Sequence, residues 1–272
     1  MIKYLQNSQI PSLAIAAGRL SGAAIILSFP VLTIYKKEFN KVTARHTISA
    51  VVAGLFLAIH FGAWICSMDY TSVTSSAALV STTPIWVGIS SWLIFKQNIN
   101  KRTVVGILIT LGGSSMIFLS DSGDSTGSAP ITGNLLAVLG AVGMCYYLLI
   151  GKKSALELNI WVYVWMVYSS AAFFLTVAAY SSGIEMGSMP LKFFMICLLL
   201  AIGPQLLGHT SFNWSLKHLS PVFISIAILC EPLFTAILAA IFLNENFQPL
   251  QIAGFLVLMG GIGLSIFAEK TT

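Results

Sequence analysis

Nine apolar runs, each close to the length of a bilayer-spanning helix, constrain this chain more than any other feature. They occupy residues 12–35, 46–67, 73–95, 103–120, 131–150, 159–180, 192–216, 221–243 and 249–268. A helix needs about 20 apolar residues to cross a hydrocarbon core roughly 30 Å thick. Barrel strands would instead appear as segments of about ten residues with alternating polarity. Charged residues are 8% of the chain and hydrophobic ones 57%, whereas soluble domains carry about 25% and 45–50%. Lipid accepts this mixture, because it demands apolar side chains outside and backbone bonds satisfied within each segment. The expected fold class is an all-α integral membrane protein, a bundle of about nine transmembrane helices.

The net charge of +5 follows from topology and calls for no nucleic acid partner. Basic residues fall on alternate inter-span segments: Lys36, Lys37, Lys41 and Arg45, then Lys96, Lys101 and Arg102, then Lys152 and Lys153, then Lys217, then Lys270. Lys3 and Lys192 lie near the other side, and Arg19 lies inside a span. The positive-inside rule places the richer side in the cytoplasm, with the C-terminus cytoplasmic and the N-terminus, as given, outside. Cys66, Cys145, Cys197 and Cys230 are scattered singly within spans. Neither a metal site nor a disulfide framework is expected from that pattern. No cofactor is expected, and the sequence has no GxxxxGK[ST] loop for hydrolysing ATP.

An internal repeat organises the chain. Sliding the sequence along itself by 148 residues, the separation of Pro84 and Pro232, superposes Ser67 on Ser215, Ser72 on Ser220 and Asn98 on Asn246. Gly106 falls on Gly254, and Gly112-Gly113 on Gly260-Gly261. The second copy, 131–268, holds five spans, and the first, 1–120, holds four. The segment 121–130 reads as an extracytoplasmic linker, rich in Gly, Ser and Asp, and 269–272 as a cytoplasmic tail. An odd number of spans per unit makes the copies face opposite ways, an inverted-topology repeat. The partner of the span 131–150 would precede Met1, so a first helix is expected to be missing by truncation or by loss.

The chain resembles the EamA-like family of the drug/metabolite transporter superfamily over essentially its whole length. In the first copy the resemblance rests on Pro11-Ser12-Leu13 leading to Arg19, on Tyr70-Thr71-Ser72 and on Thr83-Pro84-Ile85. In the second it rests on Gly208-His209-Thr210, Phe212-Asn213-Trp214, Glu231-Pro232-Leu233 and Leu243-Asn244-Glu245, with 219–261 the most specific stretch. The resemblance implies ten helices in two inverted five-helix repeats, with a central cavity and alternating access. It implies a small-molecule substrate (an amino acid, amine or drug-like solute), often exported, in a bacterial inner membrane. The chain departs from it in lacking the first helix, and in having Thr83-Pro84 and Lys96-Gln97 where many relatives carry acidic versions.

Candidate binding residues are the polar groups at mid-membrane depth, where each ionisable side chain needs a partner or a wet cavity. Glu231 is the first, as an amine contact or a proton-coupling carboxylate; its dull reading is a patch for the break made by Pro232. Pro84 and Pro232 sit at matched depths, and interrupted helices in both halves point to a transporter's substrate site. Thr83 lies beside Pro84, which frees the Val80 carbonyl. Gln205, His209 and Asn213 recur every four residues and form one stripe, either a cavity wall or interhelical glue. His60 and Trp64 form a comparable pair. Arg19 either snorkels to the outer surface or contacts an anion or Glu231. Gly18, Gly22, Gly112-Gly113 and Gly260-Gly261 read as close-packing positions. Proton coupling through Glu231 or His209, and a homodimer, are further expectations. Two rival functions remain: a non-transporting scaffold or receptor, and an intramembrane serine hydrolase built from Ser115 and His209.

Overall fold

The structure is a computed structural model, and it describes residues 1–71, 73–94, 96, 100–120, 128–230 and 249–269. Helices begin where proline or a small polar cap appears. Pro11 and Pro190 precede α2 (Ser12–Thr33) and α9 (Leu191–Leu200), and Pro130 opens α7 (Pro130–Glu157). Proline suits these positions because the first helical N–H groups have no intrahelical acceptor. Thr43 caps α3 (Ala44–Tyr70) through its side chain, and Asn159 caps α8 (Ile160–Ser181). Ser220 accepts from the Phe223 N–H at 3.1 Å, with Pro221 first in α11 (Pro221–Ile228), as the Ser-Pro pair predicts.

The remaining elements are α1 (Ile2–Asn7), α4 (Val73–Val80), α5 (Thr83–Leu93), α6 (Lys101–Ser120), α10 (Thr210–Ser215) and α12 (Pro249–Glu269). Among the described residues there is no strand. Five helical stretches among the described residues are long and apolar enough to cross a membrane: 12–33, 44–70, 130–157, 160–181 and 191–215.

Residues 2–7 form a helix: Leu5 is buried, and Gln6 donates to Ser12 Oγ at 2.8 Å and to the Ile65 carbonyl at 2.9 Å. Two expectations are corrected. The span 131–150 continues to Glu157, so Lys152 and Lys153 ride on a helix end and not in a loop. His46 Nε2 meets Glu157 Oε2 at 2.7 Å there, tying that end to the start of α3. The span 73–95 is two helices, broken at Ser81-Thr82, and Pro84 stands in the first turn of α5, not inside a kinked helix.

The 148-residue offset also relates element bounds. Carried forward by it, α2 falls on α8 and α4 on α11, end for end. Two of the pairs related in this way pack on each other, α2 on α8 and α6 on α12. A Cβ on Gly113 would lie 2.5 Å from the Leu258 nitrogen and 2.7 Å from the Gly254 carbonyl, and one on Gly261 would lie 2.9 Å from the Gly106 carbonyl. These two contacts exchange when each residue is replaced by its offset partner, as across a two-fold axis. Residue numbers rise along α6 as they fall along α12, so the two helices run antiparallel. Small residues admit this approach, the usual device of helix packing in lipid. Only one glycine of each pair serves it, since Gly112 and Gly260 have open space where a Cβ would go.

Two apolar cores result. The larger joins α1, α2, α3, α7, α8 and α9; the smaller holds Val87, Ile107, Val222, Leu229 and Leu258. Gly18 and Gly22 let α2 settle on α9, where Cβ atoms would reach Cys197 and Ala201. Gly140 and Gly143 of α7 do the same against His60 of α3.

Candidate functional site

The α9 helix does not continue regularly into α10. Residues Ala201–His209 are a π-helix with Pro204 inside it. Proline lacks an N–H, and its ring crowds the carbonyl four residues back, here that of Leu200. The wider π turn relieves that crowding, and such turns concentrate at functional sites. Gln205, His209 and Asn213 were expected on one face of a regular α-helix. The register differs, yet all three point inward, while Ile202, Leu207 and Trp214 are exposed.

Gln205 and Asn213 have 0% of their surface exposed, and His209 has 9%. Asn213 Nδ2 donates to the Tyr147 hydroxyl and, at 2.8 Å, to the His209 carbonyl. Gln205 Oε1 accepts from Arg19 Nε at 2.9 Å. Arg19 therefore does not snorkel. It is 3% exposed, with its guanidinium carbon 4.0 Å from the centroid of the Phe61 ring. A guanidinium over an aromatic face in a dry interior gains a cation–π attraction of about 2 kcal/mol or more, and the Gln205 amide supplies a directional bond.

His60 Nδ1 lies 2.9 Å from the Gly140 carbonyl. A carbonyl only accepts, so Nδ1 carries the hydrogen and Nε2 faces away from that bond. The His60 ring stacks on Trp64 with centroids 5.9 Å apart and stands 6.2 Å from His209. Phe61 and Phe212 pack on His209 at 5.0 and 5.5 Å. Tyr168 completes the wall, its hydroxyl 3.1 Å from Thr210 Oγ1. Tyr147, Tyr168 and Phe61 escaped the sequence reading. The available signal was a phenol in an apolar run, because a buried Tyr hydroxyl usually finds a partner.

Among the described residues, three buried polar atoms of the cluster have no hydrogen-bond partner: Gln205 Nε2, His209 Nδ1 and Asn213 Oδ1. Each such vacancy costs about 1–3 kcal/mol, and the three are concentrated on one stripe. A groove of about 570 Å³ lies between α2 and α8, lined by Ser21, Ile25, Ser169, Phe173 and Tyr180, away from the stripe. The cluster is closed in this conformation.

The structure does not join Thr83 to the cluster. Its hydroxyl donates to the Val80 carbonyl at 2.8 Å, satisfying the acceptor that Pro84 leaves free. The Thr82 hydroxyl donates to the Leu79 carbonyl at 2.6 Å, which also accepts from the Thr82 N–H. Glu231 and Pro232 lie outside the described residues. Ser115 is exposed on α6 and makes no contact with His209 among the described residues, so the hydrolase pair does not assemble there.

Long apolar helices packed around a buried polar cluster define a multi-pass membrane protein. The chain belongs to the EamA-like transporter family, which matches residues 1–119 and 131–267. It is 25% identical over 290 residues to "Uncharacterized transporter YetK" of Bacillus subtilis, covering 99% of this chain and 83% of that protein. An "Uncharacterized transporter" of Clostridium kluyveri is 24% identical, over 92% of this chain and 82% of its own length. A crystal structure matches with a TM-score of 0.73 at 13% identity, covering 96% of this chain and 90% of the other. That likeness shows a shared fold. The protein is a membrane transporter.

Proposed function

We propose that this transporter exports a small organic metabolite, an amino acid, amine or drug-like solute, across the bacterial inner membrane. The solute binds at the cluster formed by Arg19, His60, Trp64, Gln205, His209 and Asn213, with Glu231 and Thr83 retained as candidate contributors. The two halves, 1–120 and 131–268, are inverted copies that rock about their seam and expose the cluster to each side in turn. The C-terminus is cytoplasmic, and the N-terminus, as given, is outside.

One observation carries this reading: of the six buried polar side-chain atoms without a partner among the described residues, three lie on a single stripe, and the other three are scattered at Gln6, Ser91 and Tyr163. A purely structural network would close its bonds, since each open one destabilises the fold. A solute that supplies an acceptor to Gln205 and a donor to Asn213 would satisfy them. The antiparallel pairing of α6 with α12 supports inverted halves.

The test is solute flux in proteoliposomes across a metabolite panel, comparing the wild type with Asn213→Leu. We expect counterflow of at least one amino acid or amine, reduced about tenfold or more in the variant by loss of one buried polar contact. If the correctly folded wild type moves none of the panel, the scaffold or receptor reading replaces transport.

A further inference from the structure

We infer that His60 and His209 form one proton-binding site, and that a proton taken up there opens the closed cluster. The inference rests on the transport reading and specifies what drives its opening. Both rings come from membrane-spanning helices, α3 and the π segment, and their centroids are 6.2 Å apart. His60 uses Nδ1–H on the Gly140 carbonyl, which leaves its Nε2 lone pair as the acceptor of the pair. His209 Nδ1 is buried without a partner. A histidine kept for packing satisfies its ring nitrogens when sealed from water. Here two adjacent rings share aromatic neighbours, Phe61 packing on both, Trp64 on His60, and Tyr147 and Phe212 on His209, and His209 Nδ1 is unpartnered.

The chemistry is simple. A proton from water adds to an imidazole lone pair, and the resulting imidazolium has only donors. A sealed apolar box disfavours that charge, so uptake and wetting of the cluster favour each other. The charged and titratable groups around the pair are Arg19 from α2, bonded to Gln205, Tyr147 from α7, whose ring centroid stands 6.3 Å from that of His209, and Tyr168 from α8, bonded to Thr210. Arg19 opposes a second positive charge in the closed state. Glu231 lies outside the described residues. His209 ends the π segment, where the backbone register is already irregular and a shift to the α register would turn the ring. A metal is a poorer occupant, because no cluster of three or more His, Cys, Asp or Glu ligands exists among the described residues.

The experiment uses the full chain in nanodiscs with ¹⁵N-labelled histidine. Ring signals are followed by NMR between about pH 4 and pH 8, spanning the ordinary range of imidazole titration. Partners in the comparison are His209→Gln and His60→Asn, the latter keeping an N–H for the Gly140 carbonyl. We expect both rings to move together as pH falls, with a rise in their exposure to a soluble paramagnet, and each variant to alter the other ring's titration. Rings that titrate independently, or neither taking a proton over this range, overturn the inference. Solute flux supplies a second arm: its pH dependence should flatten in His209→Gln, and an unchanged profile also overturns it. Failure of flux altogether would remove the transport reading and leave the NMR result to decide this one.

Discussion

Two stripes of the molecule occupy matched places and differ in every side chain. Gln205, His209 and Asn213 in the second half stand 148 residues after Leu57, Phe61 and Ile65 in α3, and all six are buried. The first-half stripe fills its space with aliphatic and aromatic groups that ask for no hydrogen bond. The second-half stripe carries amide and imidazole groups, three of whose atoms remain unpartnered. Positions related by the offset thus carry an apolar stripe in one half and a polar one in the other. Phe61 and His209, related by the offset, lie with ring centroids 5.0 Å apart, so the two stripes meet. Off that stripe the first half also contributes polar groups to the cluster: Arg19, held by the Gln205 amide, and His60, held by the Gly140 carbonyl.

The comparison breaks most severely where the halves touch. Gly113→Leu would drive a side chain into the backbone of α12; overpacking of this kind costs about 3 kcal/mol. Thermal unfolding in detergent should show a large loss, and Gly112→Leu, which meets open space, should be nearly silent. Equal melting of the two variants would mean α6 and α12 do not pack as described. Placing a polar group in the dry stripe sharpens the contrast. Leu57→Gln should destabilise by about 1–3 kcal/mol, the cost of burying an unpaired amide. An undiminished melting temperature would show that water already reaches the first-half stripe. The smallest effect is expected at the helix break. Thr83→Val leaves the Val80 carbonyl without its 2.8 Å donor and should cost about 1 kcal/mol, with flux retained. If flux collapses while stability holds, Thr83 returns to the list of solute contacts.

Much of the fold was legible because lipid imposes a strict grammar. Apolar runs of bilayer length must be helices, and Pro11, Pro130, Pro190 and Pro221 mark where helices start. The stripe Gln205–His209–Asn213 was legible too, since hydrogen-bonding groups cannot face hydrocarbon. Thr83 illustrates what was not. From its neighbours it reads equally as a solute contact or as a hydroxyl cap for a carbonyl freed by proline, and only the rotamer distinguishes them. Arg19 posed the same ambiguity, because a long side chain can reach water or the interior from one position.

The sequence alone determined that the chain crosses a membrane several times, that prolines and glycines coincide at an offset of 148 residues, and which polar groups sit deep in the apolar runs. These follow from composition and spacing, which solvent and helix geometry translate directly. Tertiary structure decided that Arg19 turns inward to Gln205 and Phe61, that Tyr147 and Tyr168 join the stripe, and that His60 stands beside His209. Those pairings join residues up to 186 positions apart. Their energies depend on which helix faces which, and nothing local along the chain encodes that.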